Sequence, residues 1–331
     1  MFIDIHSHVV PDVLPFGLSG DGRWPRVVPD GDHADVVIQG NVFRRVQRAS
    51  WDLTARRDAM AAHGVHLQVL SPMPELFSYW APVGPARRFC TALNQWIAQA
   101  VASDPEHFAG LGVVPLQDLD AACEMMSSLV DLGLVGVEVG SSVEGVPVCT
   151  PRNRAFFEEA TRLGLCVFIH SFHSALEVHL PPGPAANAIT FPLESGFNAA
   201  AIVANGIAAA LPDLRVGFSH GGGTIGFASA RLQYFWETSG ELREQIPESP
   251  RDMLRRFTYD SLLLDGRPFR FLLERFGPRA LCVGTDYPFF DMAHGIGPVA
   301  ALAPDDPATA AVASGNARRF LGLDATPGTA G

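Results

Sequence analysis

Apolar residues in this chain gather into short dense runs separated by longer segments of mixed polarity. Eight runs stand out: FIDIHSH (2–8), HLQVLSP (66–72), FAGLGVVPL (108–116), LVGVEVGS (134–141), LCVFIHSF (165–172), LRVGFSH (214–220), FTYDSLL (257–263) and LCVGTDYPFF (281–290). Continuous runs of this kind, rather than strict alternation, mark strands buried on both faces of a parallel sheet. Between them, 85–104, 119–132, 151–163, 192–210, 224–240 and 267–276 carry alanine-rich or amphipathic spacing and predict helices. Asp118 or Asp120 suits the start of the helix over 119–132, and Thr150 before Pro151 suits a cap and first turn. Eight strand–helix units predict a (β/α)8 TIM barrel, finished by C-terminal helices, rather than an open doubly wound sheet.

Two stretches break the regular unit. Residues 11 to about 50, rich in Gly, Pro and Asp, follow the first strand before any clear helix; 173–191 follow the fifth. Long connections of this kind form lids and binding loops, and both leave the strand-end mouth where barrel enzymes keep their chemistry. The chain of 331 residues therefore reads as a single barrel domain, with an insertion over 11–50 and a flexible tail over 324–331.

Composition narrows the function classes. A net charge of −11 argues against nucleic acid or an anionic membrane as partner. No run approaches the roughly 18 apolar residues of a membrane span, and the start lacks a basic segment followed by an apolar core. Five cysteines are dispersed with no CxxC pair, which suits a reducing cytoplasm. All 24 basic residues are arginines. The absence of lysine excludes a Schiff-base lysine and any metal pair bridged by a carboxylated lysine.

The strand ends carry the chemistry. His6 and His8 alternate onto one face with Asp4. The fifth strand finishes with His170, the sixth with His220 and three glycines, and the eighth with Asp286. A parallel barrel gathers these ends at one mouth. Four imidazoles and a carboxylate there form a borderline ligand set of the kind zinc favours, with one histidine left over for proton transfer.

That constellation resembles the amidohydrolase superfamily. The segments IDIHSHVVP, NVFRRVQRASWD, GVHLQVLSP, VVPLQDLDAAC, FSHGGG, GTDYPF and SGNARRFLGL are similar to its decarboxylase branch, typified by α-amino-β-carboxymuconate-ε-semialdehyde decarboxylase, from about residue 2 to 323. The resemblance implies one Zn2+ held by His6, His8, His170 and Asp286, with His220 as the acid/base that acts on the metal's water. It implies Arg44 gripping the substrate carboxylate, with Arg45 the alternative gripper. Phe289 would form pocket wall, and Arg231 would reach the neighbouring active site of a homodimer. The run His170-Ser171-Phe172-His173 departs from the branch's usual His-Pro-Trp, and 175–191 departs more widely, so pocket residues there do not transfer. Glu138, on the fourth strand, suits strand filling or support of a ligand, with a bridge to a second metal as the alternative. The resulting expectation is a decarboxylase of a small unsaturated or aromatic carboxylate. A metal-dependent hydrolase, lactonase or hydratase on the same fold is the alternative enzyme, and an inert barrel serving as a binding subunit is the third reading.

Overall fold

The structure, a computed structural model, describes residues 1–14, 22–181 and 183–324. Its strands in chain order are β1 (Phe2–Val9), β2 (Arg26–Asp30), β3 (His33–Ile38), β4 (Asn41–Gln47), β5 (Val65–Pro72), β6 (Phe108–Gly112) and β7 (Gly136–Gly140). There follow β8 (Ser142–Val143), β9 (Val146–Pro147), β10 (Cys166–His170), β11 (Val216–Phe218), β12 (Thr258–Asp260) and β13 (Leu281–Cys282). Eight of them make one parallel sheet in the order β1-β5-β6-β7-β10-β11-β12-β13. The sheet curls back on itself: Ile5 N donates to Val283 O at 2.9 Å, and His8 N donates to Tyr287 O at 2.7 Å. This is the (β/α)8 barrel read from the eight runs.

The surrounding helices include α1 (Leu53–Ala62), α2 (Val83–Ser103), α3 (Leu119–Asp131), α4 (Arg154–Arg162), α5 (Pro184–Ala204), α6 (Ile207–Ala210) and α7 (Ile225–Thr238). Their inner faces bury residues such as Phe89, Leu93, Ile97, Phe156 and Phe157 against the strands. Asp118 caps α3 by accepting from Ala121 N at 2.9 Å, which leaves Asp120 in the first turn. Thr150 does not cap as expected. Pro151 opens a 3-10 turn there, and the buried Thr150 hydroxyl makes no hydrogen bond. No helix among the described residues is long and apolar enough to cross a membrane.

Two further expectations are corrected. The connection after the fifth barrel strand is shorter than 173–191, because α5 begins at Pro184 and runs through Pro192. Pro at the first helical position is favourable there. Pro192 lies inside the helix, and its carbonyl accepts from Thr224 N at 3.0 Å. The insertion is also not bare loop: β2, β3 and β4 form an antiparallel sheet within it. Most of β2 and β4 is exposed, so the two-residue alternation that betrays a half-buried strand is missing. Residues 15–21 of the insertion and 325–331 of the expected tail lie outside the described residues.

A fully buried arginine locks the end of β1. Arg56 donates to Ala49 O, to Gln68 Oε1 at 2.8 Å and to the carbonyl of His8. Gln68 donates to Asp4 Oδ2 at 2.7 Å, and Thr285 Oγ1 donates to the same oxygen at 2.6 Å. Burial lowers Arg56 to about 10, which leaves it cationic at neutral pH. The network ties β1 to β5 and to the segment after β13, where the barrel closes.

Candidate metal centre and its cavity

His6, His8, His170 and Asp286 each offer one ligand atom to a common point, and these four atoms lie within 4.8 Å of one another; all four residues are buried. The strands aim them. Each ring is pinned through its outer nitrogen: His6 Nδ1 to Asp260 Oδ2 at 2.6 Å, His8 Nδ1 to Pro72 O at 3.2 Å, and His170 Nδ1 to Ser171 O at 2.6 Å. A carbonyl or an ionised carboxylate only accepts, so Nδ1 carries a proton in each ring and Nε2 is the nitrogen turned to the centre. The Nε2 atoms of His6 and His8 are 3.2 Å apart. Asp286 Oδ1 sits 2.9 Å from His8 Nε2, yet neither it nor His170 Nε2 makes a hydrogen bond.

Three imidazole nitrogens and a carboxylate oxygen crowded at one point call for positive charge among them. The donor set fits a divalent ion: imidazole nitrogens plus one carboxylate oxygen. The titration behaviour agrees. Burial, with the neighbouring His8 and His6, holds His170 well below its usual value and therefore neutral. Burial also opposes charge on His6, but its hydrogen bond to Asp260, with Asp286 and Glu138 nearby, raises it to about 9. Burial would raise Asp286 too, but close His220 and His8 hold it well below the usual carboxylate range. The field at this point favours positive charge.

His220 stands beside the cluster and outside it. Its Nε2 lies 3.9 Å from Asp286 Oδ2, and its side chain keeps 16% exposure. Both His220 and Asp286 adopt φ of +55°, a backbone region that costs energy for residues other than glycine. Hydrogen bonds hold them there. Asp286 N donates to His6 O at 2.8 Å, and His220 N donates to Asp260 Oδ2 at 2.9 Å. The glycines after His220 allow the close fit: a Cβ at Gly223 would lie 2.0 Å from Pro192 O.

Asp260 is the residue that sequence reasoning missed. Its carboxylate accepts from His6 Nδ1, His220 N, Gly221 N and Leu262 N, so one side chain orients a ligand ring and the turn that carries His220. The available signal was an aspartate inside the seventh run, FTYDSLL, between two runs whose polar residues were already assigned.

The remaining predicted residues divide. Arg44, on β4, lies over the Phe289 ring at 4.3 Å, and Phe289 stacks on His8 at 5.4 Å. The rim ion pairs go to Arg45, which meets Asp30 and Asp35. Glu138 is fully buried 3.9 Å from His8 Nδ1. Burial raises its pKa, and among the described residues it joins no second group of ligands. Arg231 is not brought to the cluster; on α7 it lies over its own Phe235 ring at 5.0 Å. A cavity of about 540 Å3 opens at the same mouth, with Phe43 of β4, Glu75, Tyr79, Phe172 and His173 on its wall.

A family model described as amidohydrolase matches residues 3–323. The chain belongs to the amidohydrolase family. This amidohydrolase is 31% identical over 341 positions to the 2-amino-3-carboxymuconate-6-semialdehyde decarboxylase of Dictyostelium discoideum, covering 97% of the present chain and 92% of the relative. That similarity puts it in the metal-dependent decarboxylase branch of the superfamily, among carboxy-lyases. Solved structures share the fold. The IDCase of Metarhizium anisopliae in apo form superposes with a TM-score of 0.81 at 20% identity, covering 98% of each chain. The 2,6-dihydroxybenzoate decarboxylase of Rhizobium gives 0.76 at 21% identity, covering 98% of this chain and 99% of its own.

Proposed function

We propose that this amidohydrolase is a zinc-dependent nonhydrolytic decarboxylase of a small unsaturated or aromatic carboxylate, aminocarboxymuconate semialdehyde or a related compound. The observation that carries the reading is the buried cluster of His6, His8, His170 and Asp286, with a separate imidazole on one flank and an arginine over an aromatic ring on the other. Zinc is favoured over harder ions because three of the four donors are imidazole nitrogens. A divalent ion held there supplies positive charge that stabilises electron density as it develops on a bound carboxylate substrate.

The chain's own residues do the rest. Arg44 pairs with the substrate carboxylate through its planar fork, while the Phe289 ring beneath it keeps one side of the pocket dry. His220 delivers a proton to the unsaturated carbon that bears the departing carboxylate. The C–C bond then breaks, its electron pair restores the unsaturated system, and CO2 leaves. His220 recovers its proton through its exposed edge.

The deciding experiment is metal analysis of the purified protein together with a CO2-release screen over muconate semialdehydes and hydroxy- or aminobenzoates. Stoichiometric zinc with CO2 release supports the reading, and ring opening without CO2 supports a lactonase or hydrolase instead. Arg44→Ala is expected to raise KM by about ten- to a hundredfold with little change in kcat, the size of a lost charge-assisted contact made equally in ground and transition states. An unchanged KM assigns the grip elsewhere.

A homodimer belongs to the same proposal. Phe227, Tyr234 and Phe235 on α7, the helix that carries Arg231, and Phe197 on α5 are large exposed apolar residues, as expected of a covered face. In a dimer Arg231 enters the partner's pocket. Mixing inactive Arg231→Ala and His220→Asn proteins should then restore up to about a quarter of wild-type activity, because the hybrid dimer keeps one intact site. No recovery in a sample shown to exchange subunits removes Arg231 from the site.

A further inference from the structure

Where the decarboxylase branch usually has a proline after the fifth-strand histidine, this chain has Ser171, fully buried just beyond β10. Its backbone N–H donates to Ser219 Oγ at 3.1 Å, a bond that a proline has no proton to make. Its hydroxyl oxygen lies 2.9 Å from both Phe191 O and Ser195 Oγ on α5. Ser219 Oγ stands farther off at 3.5 Å. At the same 3.5 Å is Nδ1 of His220, the ring carried by the turn after β11.

Proton counting gives the direction of that last contact. A hydroxyl has one proton and two lone pairs. The Ser171 proton goes either to the Phe191 carbonyl, which only accepts, or to Ser195 Oγ. Both lie closer than the ring, so the oxygen is left to accept from His220. Nδ1 is then the protonated nitrogen of a neutral His220 ring. Nε2, 3.9 Å from Asp286 Oδ2, is the nitrogen turned to the metal centre. A ring flipped about its Cβ–Cγ bond would put a C–H where Nδ1 stands and lose the contact. The other neighbours make no such choice. Asp260 accepts from the backbone of His220 and Gly221, and the Phe191 ring packs against the imidazole at 5.8 Å between centroids.

We propose that Ser171 is a positioning residue that accepts a hydrogen bond from Nδ1–H of His220, fixing the rotation and tautomer of the ring so that Nε2 delivers the proton in decarboxylation. This deepens the decarboxylase reading and rests on it. Delivery from Nε2 leaves the remaining proton on Nδ1, the form that Ser171 favours, so the ring does not have to turn between cycles.

The test reads the ring and the rate separately in metal-loaded protein. NMR of the ring nitrogens in isotope-labelled wild type, with His220 assigned by the signals lost in His220→Asn, should place the proton of the neutral ring on Nδ1. Ser171→Ala should shift that ring toward a mixture of tautomers. It should also lower kcat about tenfold, the size of one hydrogen bond, with the metal retained and KM within about twofold of wild type. Ser171→Thr keeps the hydroxyl and should keep the Nδ1–H signal and most of the rate. A proton on Nε2 in wild type overturns the proposal whatever the variants do. An unchanged ring signal or an unchanged kcat in Ser171→Ala overturns it too, as does a fall in kcat that follows loss of the metal. If the ring signals behave as stated but no carboxylate in the wider screen yields CO2, the decarboxylase reading fails and the hold of Ser171 on the ring stands.

Discussion

His220→Asn is expected to keep its divalent ion while losing about two to four orders of magnitude in turnover, the usual share of a positioned general acid–base. Two features of the structure set this expectation. The His220 ring is not one of the four ligands, and its Nε2 stands 3.9 Å from the far oxygen of Asp286. Its position also depends on backbone contacts, from His220 N and Gly221 N to Asp260, which any side chain preserves. Asparagine is the informative replacement because position 220 has φ of +55°, which asparagine tolerates better than alanine does. The measurement pairs metal content with the rate of CO2 release. Loss of the ion would make His220 a ligand, and near-normal turnover would move the proton donor elsewhere.

The second large effect is loss of the ion itself. His170→Ala is expected to weaken metal binding by at least about a hundredfold and to abolish turnover, since it leaves two imidazoles and one carboxylate of a four-donor set. Stability should report the same event. With the ion at about a thousand times its dissociation constant, binding contributes about 4 kcal/mol to folding, or roughly 5–10 °C in Tm for a chain of this size. Chelation should therefore lower the wild-type Tm by that amount and leave His170→Ala almost unmoved. The physical basis is the crowding at the centre: the Nε2 atoms of His6 and His8 are 3.2 Å apart, and Asp286 Oδ1 is 2.9 Å from His8 Nε2. Equal chelator sensitivity in both proteins would mean that the ion binds elsewhere.

Legibility differed from residue to residue. His6, His8, His170, His220 and Asp286 could be singled out because each ends an apolar run, and a parallel barrel brings such ends to one mouth whatever helices lie between them. Arg44 was legible only by resemblance. Its strand is mostly exposed and sits in an antiparallel sheet that no alternating pattern announced, and the choice between Arg44 and Arg45 depended on which side of β4 faces Phe289. Asp260 and Glu75 carried no spacing signal. Asp260 lies inside the seventh apolar run and Glu75 three residues past the second, and an acid in such a place is as readily an ordinary turn former.

By itself the sequence determined the barrel and the ligand types, because burial on both faces writes continuous apolar strands into neighbouring residues and leaves polar ones at their ends. It also determined what chemistry was unavailable, since a chain without lysine has no amine to form an imine. Only the tertiary structure decided which nitrogen of each imidazole faces the centre, that Asp260 serves both a ligand and the turn bearing His220, and that Glu75 shares a cavity with aromatic rings near Arg44. Those outcomes rest on contacts between residues tens to hundreds of positions apart, such as His6 with Asp260, and no local pattern along the chain encodes the angle at which two distant segments meet.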